Sequence, residues 1–303
     1  MKKIVLFLFF LNISNSFSQE LLLSRLEIYN IYEDKRFVVL EEKNHFEAPN
    51  WLNENELIYN SKGLLYRYNF KTKEKIEIFT DFANKCNNDH GIFPNGKQLI
   101  LSNMDKDPHS RQSWGISRIY KVPLSGGTPE LITPEGPSYW HGISPDSKSI
   151  VYTAFRNNEA DIYKMSLDDR LEIKLTTEIG LDDGPEYSFD GKHIFYNSMA
   201  SGKMEIWRMN ADGKNKTPLT KDKYSNWFPH PSPDGKNLIF ISYINDQGDK
   251  HPPLKKVMLR LMDLKTLKIR KLFNFIGGQG TINVPSWSKD SKSFAFVSYV
   301  KNP

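Results

Sequence analysis

The 303-residue chain has a single cysteine, Cys86. It therefore forms no internal disulfide and contains no paired-thiolate metal spacing. That cysteine also stands far from any N-terminal cleavage point, so it offers no lipid anchor. An excess of either charge is lacking too: 41 basic residues against 36 acidic ones leave +5, or +3 once Lys2 and Lys3 are set aside. So small an imbalance excludes a dedicated nucleic-acid binder. No apolar run reaches the roughly 20 residues needed to cross a bilayer, because the one that starts at Ile4 is interrupted by Asn12, Ser14 and Asn15. Catalytic signatures are missing as well, with no GxSxG nucleophile elbow and no HExxH helix anywhere in the chain.

The N-terminus has a pattern of its own. Lys2 and Lys3 precede the apolar stretch 4–11, and the small residues Ser16 and Ser18 stand three and one before a cut after Ser18. These are the three parts of a secretory signal peptide. The expectation is a signal peptide over residues 1–18, one domain over residues 19–303, and a soluble periplasmic or secreted monomer with no transmembrane segment after cleavage.

The rest of the chain repeats itself. The phrases SPDSKSIVY at Ser144, SFDGKHIFY at Ser188, SPDGKNLIF at Ser232 and SKDSKSFAF at Ser288 are copies of one pattern, with weaker copies at Phe93 and Leu52. Asp146, Asp190 and Asp234 follow one another at intervals of 44 residues, a spacing that suits one blade of a β-propeller. Within each unit, short β-branched and aromatic runs are separated by Asp-Gly, Asn-Gly and Pro-Asp turns, which reads as four antiparallel strands. Six copies of the apolar second strand are present. The last unit lacks a third and fourth strand, while SRLEIYNIY from Ser24 and KRFVVLEE from Lys35 read as an orphan third and fourth. Joining the two ends gives an all-β, six-bladed propeller of four-stranded blades with no open edge.

The phrase SPDGK with its apolar run, followed by EIWRMNADG at Glu205 and PLT at Pro218, resembles the propeller repeat of the TolB family. The resemblance extends over nearly the whole chain beyond residue 18 and implies the fold. It leaves activity open, since this repeat occurs in proteins of unrelated function. TolB carries an α/β domain ahead of its propeller, whereas here the repeat begins almost directly after the expected signal peptide.

Topology sorts residues onto two faces. The tight turns within the repeat phrase crowd one face and leave it little room for a site. The other face receives the starts of the innermost strands and the two longest insertions, near residues 105–115 and 245–255, where function tends to concentrate. The histidines gather there too. His90 and His141 occupy the same repeat position, three before the turn phrase, and His230 lies close to it in the fifth blade. Asp182, Asp183, Asn226, Trp227, Gln279 and Asn283 belong to the matching stretches of the other blades. His45, His109 and His251 read as solvated loop residues, Trp287 as core, and Arg156 as a surface arginine or a carboxylate ligand.

Two functions follow from this face. In the first, the propeller binds a glycan, a peptide or a periplasmic partner protein without catalysis. In the second, His90, His141 and His230, with Gln279 or Asp183, hold one divalent metal ion. Such an ion would serve a polysaccharide lyase or hydrolase by neutralising a uronate while a base removes the neighbouring proton. Oligogalacturonate lyases resemble this second picture, but their seven blades and ligand spacing are not matched here.

Overall fold

The computed structural model describes residues 23–106 and 115–300. The expected signal peptide and His109 lie outside the described residues. Five sheets of four antiparallel strands and a sixth of three make up the ring. The innermost strands of blades one to five are Glu47–Asn53, Cys86–Ile92, Ser138–Ile143, Asp182–Tyr187 and Ser225–Pro231. No helix among the described residues is long and apolar enough to cross a membrane.

The ends close the ring as the repeat count requires. Strand Leu23–Asn30 pairs along its whole length with Ser293–Val300, from Leu23 opposite Val300 to Asn30 opposite Ser293, and on its other side with Lys35–Glu42. The innermost strand of this sixth, composite blade shrinks to one bridge between Trp287 and Phe294. Glu27, almost wholly buried at the seam, is gripped by Arg36 and by the Ser298 hydroxyl. The Arg36 guanidinium lies over the rings of Phe273 and Phe296 at 4.8 and 5.3 Å. One ion pair thereby ties the N-terminal hairpin to the last strand and to blade five.

The repeated phrase has a physical reason at each position. In the copy at Ser232, the serine hydroxyl donates to Asp234 at 2.6 Å and accepts from the Asn237 amide at 2.9 Å, and Asp234 accepts from the Lys236 amide at 3.1 Å. The same bonds recur at Ser144, Ser188 and Ser288. The fourth position is left-handed, with φ of 69° at Gly235, so glycine fits it without strain. The threonine ending each PLT-like run is equally constrained, since Thr133, Thr176 and Thr220 accept the amides of Ile119, Ile162 and Ile206 at 2.8 to 2.9 Å. Between blades the core is formed by fully buried second-strand aromatics such as Tyr59, Tyr152, Tyr196 and Phe240.

Candidate functional site

Where the innermost strands begin, the channel opens into a cavity of ≈ 350 Å³. Blade two contributes Asn88 and Asp89, blade three Tyr139 and His141, blade four Asp183 and blade five Phe228. Gln279 and Asn283 enter from the connection into the composite blade, and Asp249 and His251 from the insertion in blade five. Met104, Phe155 and Leu181 complete an apolar rim.

At the centre Asp183 receives three groups. His141 Nε2 stands 3.2 Å from Oδ1, His251 Nε2 3.7 Å from Oδ2, and the Thr153 hydroxyl donates to Oδ1 at 2.7 Å. The other ring nitrogen of His141 faces the Asn283 carbonyl at 3.4 Å. Trp227 and Phe228 hold the His251 ring edge-on at 4.7 and 5.2 Å.

Burial and charge act against each other here. Burial alone would lower the His141 pKa, yet Asp89 and the hydrogen-bonded Asp183 together raise it above the ordinary imidazole value. Burial raises the Asp183 pKa, but His141 outweighs it and holds the carboxyl far below its usual range. Asp89 lacks such a partner: burial, reinforced by Asp183 and only partly offset by His141, pushes it up to about 7. Glu47, in the neighbouring blade, is also raised to about 7, by burial and then by Asp89. His251 is pushed below its ordinary value by burial, in spite of Asp183.

Of the residues expected at the mouth, the fold brings together His141, Asp183, Gln279 and Asn283. His90 and His141 share a repeat position but not an orientation, because their strands bulge differently. In blade three one extra residue intervenes between the pairs Trp140–Tyr152 and Gly142–Val151, and that residue is His141. In blade two, two extra residues intervene between Cys86–Asn103 and His90–Leu101, which returns His90 to the regular ladder opposite Leu101. A one-residue change of phase turns a side chain to the other face. His90 is thus sealed in the interior, where burial pushes its pKa down to about 3.

His230 is held away from the mouth, with one ring nitrogen on Glu186 and the other on the Ile282 carbonyl. The expected trio of His90, His141 and His230 therefore does not converge. Among the described residues no three His, Cys, Asp or Glu side chains are grouped to hold a metal ion. Asp182, next to Asp183 on a strand, faces the opposite way, against Ser198, and is raised to about 6 by burial. Asn226 is absorbed into a network with Glu205, Asp222, Ser242 and Arg260. Trp227 is fully buried behind the site, its indole N–H on Ser225.

Other readings are revised in turn. His251 is a wall of the cavity and no solvated loop residue. Arg156 is buried, paired with Glu172 at 3.0 Å and donating to the Pro137 carbonyl at 3.0 Å, so it is neither a surface residue nor free for a ligand. The opposite face has more room than its tight turns suggest: a cavity of ≈ 510 Å³ lies there, lined by Trp51, Pro94, Phe189, Pro233 and Trp287 among others. Asp89, which sequence reasoning passed over in favour of the adjacent His90, is the residue that reaches the mouth. The phrases DHGIF and WHGIS are equal in length, so the two extra residues of the blade-two bulge leave no signal in them.

A six-bladed propeller closed by its N-terminal strand, with a polar pocket at one mouth, is the class that fold and site define. The family model for the TolB β-propeller domain matches residues 140–267. The uncharacterised protein Atu1656 of Agrobacterium fabrum is 44% identical over 280 residues, spanning 91% of this chain and 92% of that protein. A solved structure from Agrobacterium tumefaciens, named for its likeness to TolB, is 43% identical and superposes with a TM-score of 0.86 over 92% of this chain and 99% of that one. The chain belongs to the TolB-like β-propeller family. TolB from Acinetobacter baumannii shares the fold at 19% identity and a TM-score of 0.63, over 85% of this chain and 64% of that one. An oligogalacturonate lyase in complex with manganese also shares it, at 13% identity and a TM-score of 0.51 over 92% of this chain and 78% of that one.

Proposed function

We propose that the protein is an exported, non-catalytic propeller that holds a ligand, a glycan or a peptide segment of a partner protein, in its channel-mouth pocket. The observation that carries the reading is the gathering of Asp89, His141, Asp183, His251 and Gln279 around one cavity. They come from separate blades and loops, and each costs folding energy to desolvate. A scaffold that needed only packing would fill this position with the apolar residues used elsewhere between its blades. Export is supported by the charged, apolar and small-residue pattern of residues 1–18. The metal-assisted lyase reading has lost its histidine trio, and the likeness to the oligogalacturonate lyases is one of fold.

The test is a titration of isotopically labelled protein with neutral and charged oligosaccharides and short peptides, following imidazole and backbone resonances. The reading expects at least one compound to shift His141 and His251 while leaving Glu186 and Trp287 unmoved. Shifts confined to the opposite cavity, or none at all, would overturn it.

A further inference from the structure

Charge and its compensation are out of balance at the mouth. Asp89, Asp183 and Asp249 line the cavity, and Glu47 lies close enough for Asp89 to add to the burial that raises the Glu47 pKa. No lysine or arginine among the described residues lines it. Of the two histidines, His141 is committed to Asp183, and His251 is held by burial toward its neutral form. Asp89 is 4% exposed. It lines the cavity, and among the described residues its carboxylate accepts no hydrogen bond. Gln279, a second lining residue, has its Oε1 buried close to the His251 ring, whose Nδ1 is likewise without another partner. Among the described residues three carboxylates line a small cavity that no lysine or arginine enters, and this imbalance of charge specifies what is missing.

We infer that the pocket takes an organic cation, an ammonium or guanidinium group on a short alkyl stem, with Asp89 as its counter-ion. This rests on the mouth being a binding site, as proposed above. A neutral sugar hydroxyl would satisfy one lone pair of Asp89 and leave the surplus negative charge in place. A cation removes that surplus and supplies two or three donors for Asp89 and Gln279 at once. The walls fit the rest of such a ligand, since Tyr139, Phe155 and Phe228 present aromatic surface to a stem or to the charge itself. Full hydration of a small metal ion is hard to replace by acceptors that are not grouped around a point, whereas a cation on a stem needs only one side of its head satisfied. The cation comes either from a free amine or from a basic side chain of a partner.

Calorimetric titration separates these cases, with n-butylammonium, Nα-acetyl-lysine N-methylamide, its uncharged norleucine counterpart and manganese chloride as probes. The lysine compound is expected to bind at least tenfold more tightly than the norleucine one, and Asp89→Asn to remove that preference. Equal binding of n-butylammonium would point to a free amine, and a tenfold advantage of the lysine compound to a partner's side chain; both support the inference. Wild-type protein provides a check that needs no variant. Glu47, Tyr139, His141 and Asp183 are the titratable groups near enough to act on Asp89, and a bound cation should drive proton release at pH 6 that vanishes by pH 8.5, read from titrations in buffers of different ionisation enthalpy. The inference is overturned if the norleucine compound binds equally well, if manganese binds and the amines do not, or if no protons are released at pH 6. A neutral oligosaccharide shifting His141 while every amine fails would sink this inference and leave the mouth as a binding site; failure of every probe, and of the oligosaccharides and peptides above, would sink both.

Discussion

Replacing Arg36 by methionine tests the seam of the ring. Arg36 pairs with Glu27, whose side chain is 1% exposed, and methionine keeps most of the stem that packs on Phe273 while deleting the charge. The Glu27 carboxylate is then buried with only the Ser298 hydroxyl as donor. Breaking a buried pair in this way costs about 3–5 kcal/mol. Arg36 is 33% exposed, so water reaches the vacated place, and the expected loss falls to roughly 2–3 kcal/mol. For a domain of this size that lowers Tm by about 4–8 °C. Adding Glu27→Gln should restore most of the loss, because the glutamine amide carries no charge to strand. Denaturant and thermal melts of the parent, both single variants and the double variant close the cycle. If Arg36→Met melts within a degree of the parent, or costs as much in the Glu27→Gln background as in the parent, the ion pair does not hold the seam.

Gly91 lies under the Trp140 indole, and a Cβ there would stand 1.9 Å from its Cη2. Gly91→Ala should therefore cost about 1–3 kcal/mol in denaturant unfolding through overpacking between blades two and three; an unchanged midpoint would show that the contact is loose. Asp89 is raised to about 7 in the folded state from an ordinary value of 3.8. The folded chain therefore binds the extra proton between these limits, so this residue's contribution to stability is retained below about pH 4 and declines as pH rises toward 7. Asp89→Asn should then gain on the parent between pH 5 and pH 8, by on the order of 2 kcal/mol, in melts at the two pH values. A pH-independent difference would contradict the assigned burial.

The repeat phrase made the ring legible because each of its letters is enforced locally. Serine and aspartate must bond the turn amides and the fourth position must tolerate positive φ, so Ser144, Ser188, Ser232 and Ser288 announce their blades. Closure was legible for a similar reason, since strands Leu23–Asn30 and Lys35–Glu42 had no partners left except the last strand. The site was only partly legible. His141, Asp183, Gln279 and Asn283 were placed at the mouth by topology alone. The orientation of His90 depends on how many residues its strand bulges, and a bulge leaves no residue-type signature comparable to the turn phrase. His251 was missed because it sits in an insertion without a repeat to align it, although Trp227 and Phe228 hold it firmly. His230 was misassigned because Glu186, one blade away, competes for its ring.

The most direct test of the gathered mouth is to follow the imidazole nitrogens of the wild-type chain by NMR across pH. His141 should stay protonated above the pH at which an ordinary histidine loses its proton, lose that elevation in Asp183→Asn, and titrate apart from His90, which should remain neutral down to about pH 3. If His141 instead titrates as a free imidazole and ignores Asp183→Asn, blades three and four do not meet as described, and the pocket they frame is absent.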